Sequence, residues 1–252
     1  MLKNIILGIK EYAGAFELIS KLKLWRYFAI PIFISIGTAI LIGIEAYVLS
    51  DNLGAFISKI WIWDWGKDTF TFIGEFLGGL IILLIGLILY KHIIMALSTP
   101  FMTPVSEKIE KYFYGDLKHL HRKTSNTEQL IRGIRINFRN LIRELIITIP
   151  FLLLKFIPIV NIFSTIGVFL IQAYYAGFGN IDYTLERHLS YSKSVDFVKK
   201  NKGFAIGNGI IFMFLLLIPV LGVILVLPLS VTAASTKTLK ILHGKPEIIY
   251  ER

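Results

Sequence analysis

The sequence predicts an all-α integral membrane protein with two long transmembrane helices, two proline-broken helical hairpins and amphipathic helices at the membrane surface. Composition is the first reason: of 252 residues, 55% are hydrophobic and 17% charged, against about 45–50% and about 25% in a soluble domain. Mean hydropathy is +0.67, and the apolar residues come in blocks too long to share one water-soluble core. The third reason is charge: 27 Lys+Arg against 17 Asp+Glu, gathered between the apolar blocks. A soluble enzyme and a disordered chain are both disfavoured. There is no cysteine, which excludes disulfides, thiolate metal sites, Fe–S clusters and cysteine nucleophiles.

Residues 1–252 read as a single membrane domain. Within 1–26, Ile5, Ile6, Ile9, Ala13, Phe16 and Ile19 recur at helical spacing among Lys3, Lys10, Glu17 and Lys21. This predicts an amphipathic helix on the membrane surface rather than a signal peptide. Residues 27–49 carry one charge, Glu45; as a helix they span roughly 35 Å, enough for a ~30 Å hydrocarbon layer. A second span is expected over 72–97, interrupted by Lys91 and His92 near one end. Trp61, Trp63 and Trp65 between the two form an interfacial aromatic belt. Residues 98–143 are expected to be a cytoplasmic helical segment.

The hairpins are placed at 145–178 and 204–236. Phe156-Ile157-Pro158-Ile159-Val160-Asn161 in one matches Leu217-Ile218-Pro219-Val220-Leu221-Gly222 in the other, and the residue before each proline is biased away from helix. The first arm, 145–157, is only about 20 Å long as a helix. Lys and Arg number 5 in 1–26, 2 in 50–75, 10 in 91–143, 5 in 182–203 and 4 in 237–252. The positive-inside rule then puts the tryptophan loop outside and the other polar segments inside. Each hairpin either crosses twice with short helices or dips partway and returns. The dip is the favoured reading, and it requires cover from a water-filled cavity or from other subunits.

No P-loop, dinucleotide glycine fingerprint, HExxH or GxSxG is present, and no enzyme activity or cofactor is expected. His119-Leu120-His121 has no carboxylate at ligand spacing, so no metal is expected either; nothing points to nucleic acid. Gly203-x-x-x-Gly207-Asn208-Gly209 opens an apolar helix but lacks the P-loop lysine. Charges at membrane depth are better leads. Glu45 and Glu75 lie near span ends, where snorkelling suffices. Lys155 precedes the Pro158 turn by three residues. In a dipping hairpin it needs an anionic partner, an aqueous cavity or a transported anion; in a crossing one it is an interfacial lysine. Ser125-Asn126-Thr127-Glu128 is a capping box that starts a helix carrying Arg132, Arg135, Arg139 and Arg143 as a basic stripe. The stripe either meets lipid phosphates, lines an anion pathway or pairs with Glu107 and Glu110. Lys21, Lys23 and Arg26 sit at a chain reversal. They are either positive-inside anchors or, with the N-terminus of the next helix, a site for an oxyanion such as sulfate.

The order of Trp25-Arg26-Tyr27-Phe28-Ala29-Ile30-Pro31, Ser98-Thr99-Pro100-Phe101, the two Ile-Pro motifs and Ile181-Asp182-Tyr183 resembles the CysZ-type sulfate permeases and the related etoposide-induced membrane proteins, over roughly residues 8–243. The resemblance implies two long transmembrane helices, two hemi-penetrating hairpins and a homo-oligomer in the bacterial inner membrane. It also implies sulfate uptake for cysteine synthesis. In that family sulfate is associated with a Gly-x-Arg-Arg-like turn. Here the turn is Lys23-Leu24-Trp25-Arg26, which makes Arg26, Lys23 and Trp25 the candidate binding residues. Lys155, Arg132, Arg135 and Arg139 are the candidate pathway.

Overall fold

The computed structural model describes residues 1–59, 65–116, 122, 124–154, 157–218 and 220–244. The described residues form nine helices and no strand. The expected surface helix over 1–26 is two helices, α1 (Leu2–Lys10) and α2 (Ala15–Lys21). The turn between them is pinned from inside: the Tyr12 hydroxyl donates to the Asn208 carbonyl at 2.7 Å and lies 2.8 Å from Ser230 Oγ.

The first long helix, α3 (Trp25–Ser58), outruns its expected end at 49. It pairs along its length with α4 (Lys67–Tyr114). The register is antiparallel: Lys108 lies over the Tyr27 ring, Tyr90 donates to Ser35 at 3.1 Å, and Gly86 faces Ile42. Of the tryptophan belt, Trp61 and Trp63 lie outside the described residues, whereas Trp65 is exposed.

α4 continues past 97, the expected end of the second span. It runs unbroken through Pro100 and Pro104 for 48 residues, about 72 Å at the helical rise. Proline at 100 removes the N–H that would bond the Ala96 carbonyl. That carbonyl instead faces Gly133, where an added Cβ would lie 3.0 Å away, and Thr99 Oγ1 donates to the Met95 carbonyl one residue earlier.

The next helix, α5 (Asn126–Leu154), starts at the expected capping box. The Glu128 N–H donates to Ser125 Oγ at 3.2 Å, and the Ser125 N–H to Glu128 Oε2 at 2.8 Å. It then runs past 143 into the apolar stretch as one continuous helix. The described part of the first arm reaches Leu154, and residues 155–156 lie outside the described residues. Ile157 is extended (φ −95°, ψ 114°), as a residue before proline prefers, and Pro158 opens α6 (Pro158–His188) at a position where a missing N–H costs nothing. After α7 (Tyr191–Lys200), the second hairpin is α8 (Lys202–Leu216) and α9 (Leu221–His243). α9 continues past the expected end at 236, while Pro219 lies outside the described residues.

The glycines of α8 have a packing role. A Cβ at Gly207 would lie 2.1 Å from the Ile5 carbonyl of α1, and one at Gly209 1.7 Å from the Ala173 carbonyl of α6. Close backbone approach of this kind is how helices associate without a hydrophobic driving force. Among the described residues three stretches are long and apolar enough to cross a membrane, Trp25–Leu49, Val160–His188 and Gly222–His243. Large apolar side chains such as Phe33, Leu41 and Phe163 face outward, while Lys91, Glu144, Asn140, Asn180 and Asn208 are buried. Apolar outside and polar inside is the pattern of a membrane protein.

Candidate functional site

The chain reversal before α3 is a helix C-cap of the Schellman type. The Leu24 N–H donates to the Ile19 carbonyl at 2.9 Å and the Lys23 N–H to the Ser20 carbonyl at 3.1 Å. Lys23 takes the left-handed position with φ 52°, which glycine usually fills, and Leu24 is fully buried beneath it. The backbone conformation of a glycine turn is therefore present although the residue is lysine. Trp25 stacks edge-on against Phe16 with ring centroids 6.0 Å apart. Arg26 is exposed; it donates to the Tyr27 hydroxyl at 2.8 Å and lies over that ring. The three candidate binding residues thus share one turn, with the Lys23 and Arg26 cations facing solvent. A left-handed non-glycine residue costs roughly 1–2 kcal/mol, partly offset by the flexibility of an unfolded glycine. Lys23→Gly should accordingly stabilise the detergent-solubilised protein by about 0.5–1 kcal/mol. An unchanged or lower melting temperature would refute the strained turn.

The basic stripe on α5 is divided in use. Arg132 is committed inward: Nη2 lies 2.9 Å from Asp182 Oδ1 and 2.7 Å from Ser194 Oγ, and Nη1 donates to the Leu189 carbonyl at 2.7 Å. It is a cross-link among α5, α6 and α7. Arg135 stacks on the Tyr191 ring at 4.2 Å; Arg139 donates to Asn140 Oδ1 at 2.8 Å and lies over Phe178. Lys155 lies outside the described residues. Glu110, a suggested partner of the stripe, pairs instead with Arg187 at 2.7 Å.

Lys91, His92 and Glu144 form a buried charge cluster. Lys91 Nζ lies 2.6 Å from Glu144 Oε1, and His92 Nε2 3.0 Å from Glu144 Oε2. All three side chains are at most 4% exposed, sealed where α4, α5 and α6 meet. In the sequence Lys91 and His92 mark only an interruption in the second span. Glu144 fell between two segments, yet a lone acid beside an apolar run was the available signal.

A second polar cluster lies near the C-terminal ends of α4, α6 and α9. Arg187 donates to Ser106 Oγ at 3.0 Å, and Ser106 continues through Thr184 to Ser235. His188 Nε2 and His243 Nε2 lie 3.3 and 2.8 Å from Glu110 Oε1. Burial would raise the Glu110 carboxyl, but His188 and Arg187 outweigh it and hold the group well below the usual carboxylate range. Beside the cluster opens a cleft of about 530 Å³ lined by Thr103, Glu107, Arg122, Ser125, Gln129 and Arg187, among others. Two guanidinium groups and several hydroxyls make it polar and hydrogen-bonding.

The profile of the family described as sulfate transporter CysZ/etoposide-induced protein 2.4 matches residues 12–227. The chain belongs to this family. A comparison with curated proteins returned no match. Membership makes a membrane sulfate-transporter-like role the coarse assignment. The CysZ/etoposide-induced match takes in the Lys23–Arg26 turn, the Lys91–Glu144 pair and Arg187, but stops short of His243.

Proposed function

We propose that the protein is a permease that carries sulfate or a similar oxyanion across the bacterial cytoplasmic membrane, feeding cysteine synthesis, and that it acts as a homo-oligomer without enzymatic activity. The observation that carries this reading is the family match over residues 12–227. The Lys23 turn supports it locally. A left-handed backbone directly before a helix N-terminus, with Lys23 and Arg26 exposed beside it, is chemistry suited to a tetrahedral anion. Arg135 and Arg139, with Lys155, would raise the local anion concentration; Arg132 contributes through the structure it holds. With no P-loop in the sequence, the driving force would come from ion gradients or partners.

The test is labelled-sulfate uptake into proteoliposomes. Wild type should exceed protein-free vesicles, and Arg26→Ala should reduce uptake about tenfold or more, the loss of one charged hydrogen-bond partner. Uptake equal to empty vesicles overturns the function, and uptake unaffected by Arg26→Ala overturns the site. A second reading is favoured by the outward apolar stripe Ile131, Ile134, Phe138, Ile142 and Ile146 on α5, flanked by exposed Arg135 and Arg143. It is a non-transporting scaffold that organises lipid. Remodelling of anionic vesicles without sulfate flux would select it.

A further inference from the structure

We propose that Glu110, His188 and His243 form a divalent transition-metal site, of zinc type, tying together the ends of α4, α6 and α9. Three side chains from three helices bring one carboxylate oxygen and two imidazole nitrogens within 4.8 Å of one another. Of the separations, the 3.3 Å from Glu110 Oε1 to His188 Nε2 matches the ~3.3–3.4 Å edge of a tetrahedron with metal–ligand arms of ~2.0–2.1 Å, and the 2.8 Å to His243 Nε2 would open by about 0.5 Å on metal binding. The two rings meet edge to face with centroids 5.4 Å apart. Both Nε2 atoms lie beside the same carboxylate oxygen, Glu110 Oε1.

The donor set selects the ion. Two imidazoles with one carboxylate suit Zn²⁺, Co²⁺ or Ni²⁺, whereas Mg²⁺ and Ca²⁺ demand all-oxygen shells. Three protein ligands leave a fourth position for water or an anion. The outer shell is also in place. Arg187 takes the other carboxylate oxygen, Oε2, at 2.7 Å and is itself held by Ser106, which fixes Oε1 toward the histidines. Access comes through His243, 18% exposed where Glu110 is 1%, at the last residue of α9. Because His243 lies beyond the residues matched to the family, the set is not one the matched region supplies by itself.

The experiment uses full-length protein carrying a histidine-free tag, purified in detergent and stripped with chelator. Co²⁺ titration should give the intense visible absorption of a tetrahedral site at one ion per chain, displaced by Zn²⁺. His243→Asn, a conservative change at the most accessible ligand, should weaken Zn²⁺ binding by about 100-fold, at least what disturbing an outer shell costs, with helical circular dichroism unchanged. Replacing His119 and His121 together should leave the spectrum as it was. Absence of stoichiometric binding by wild type, binding retained in His243→Asn, or loss on changing His119 and His121 each overturns the site. None of these readouts depends on sulfate flux.

Discussion

Glu144→Ala should destabilise the protein by about 3–5 kcal/mol, the cost of breaking a buried ion pair by removing one partner. The mutation leaves the Lys91 ammonium 1% exposed with the Gln172 carbonyl beside it at 3.5 Å, and removes the acceptor of His92 as well. Water cannot repair this, because α4, α5 and α6 close over the site. Replacing both charges, as Lys91→Met with Glu144→Leu, should recover most of the loss, since a buried pair exchanged for apolar residues of similar volume is often neutral or stabilising. Thermal melts in detergent measure both. A Glu144→Ala protein that melts like wild type would show the pair to be solvated. The double variant then separates roles: if it folds and still carries sulfate, the pair is structural; if it folds and does not, the pair belongs to the path.

Gly209→Val should abolish the folded protein. The α6–α8 crossing is reciprocal: Gly209 sits against the Ala173 carbonyl and Gly177 against the Ala205 carbonyl, with added Cβ atoms at 1.7 and 1.9 Å. Each helix therefore presents a small residue four positions from its glycine, Ala173 with Gly177 and Ala205 with Gly209. The obstructing atoms are backbone, so no side-chain rotation relieves the clash, and the cost exceeds the ~1–3 kcal/mol of ordinary overpacking. The yield of monodisperse protein on size exclusion reads the outcome. Gly14→Ala, where an added Cβ meets nothing within 4 Å, is the matched control and should behave as wild type. A folded Gly209→Val protein would refute this crossing.

These contacts also mark where the sequence was readable. The helices announce themselves through apolar period, the α5 start through Ser125 and Glu128, and the break before α6 through Pro158, because these are local effects. The continuity of α4 was hidden. Pro100 and Pro104 look like terminators, yet the helix passes both, and the Ala96 carbonyl freed by Pro100 faces Gly133, which is far along the chain. The turn conformation was hidden for a related reason. Lysine at 23 gives no sign of a left-handed backbone, which the Ile19 and Ser20 carbonyls impose. The charge clusters were hidden because their partners are remote. Arg132 meets Asp182 fifty residues on and Lys91 meets Glu144 fifty-three on, so a stripe that looked continuous on one helix is apportioned among its neighbours.

The proposed passage requires both hairpins to turn within the bilayer and return to the face they left. Thiol labelling tests this directly, because the chain has no cysteine of its own. Single cysteines at Asn161 and Leu217, both exposed beside the hairpin turns, would be probed in intact cells with a bulky impermeant maleimide. Trp65→Cys and Asp196→Cys report the outer and inner faces. The account predicts that Trp65→Cys reacts and that Asn161→Cys and Leu217→Cys, like Asp196→Cys, do not. Labelling of Asn161→Cys and Leu217→Cys at the rate of Trp65→Cys would mean full crossings, and would contradict it.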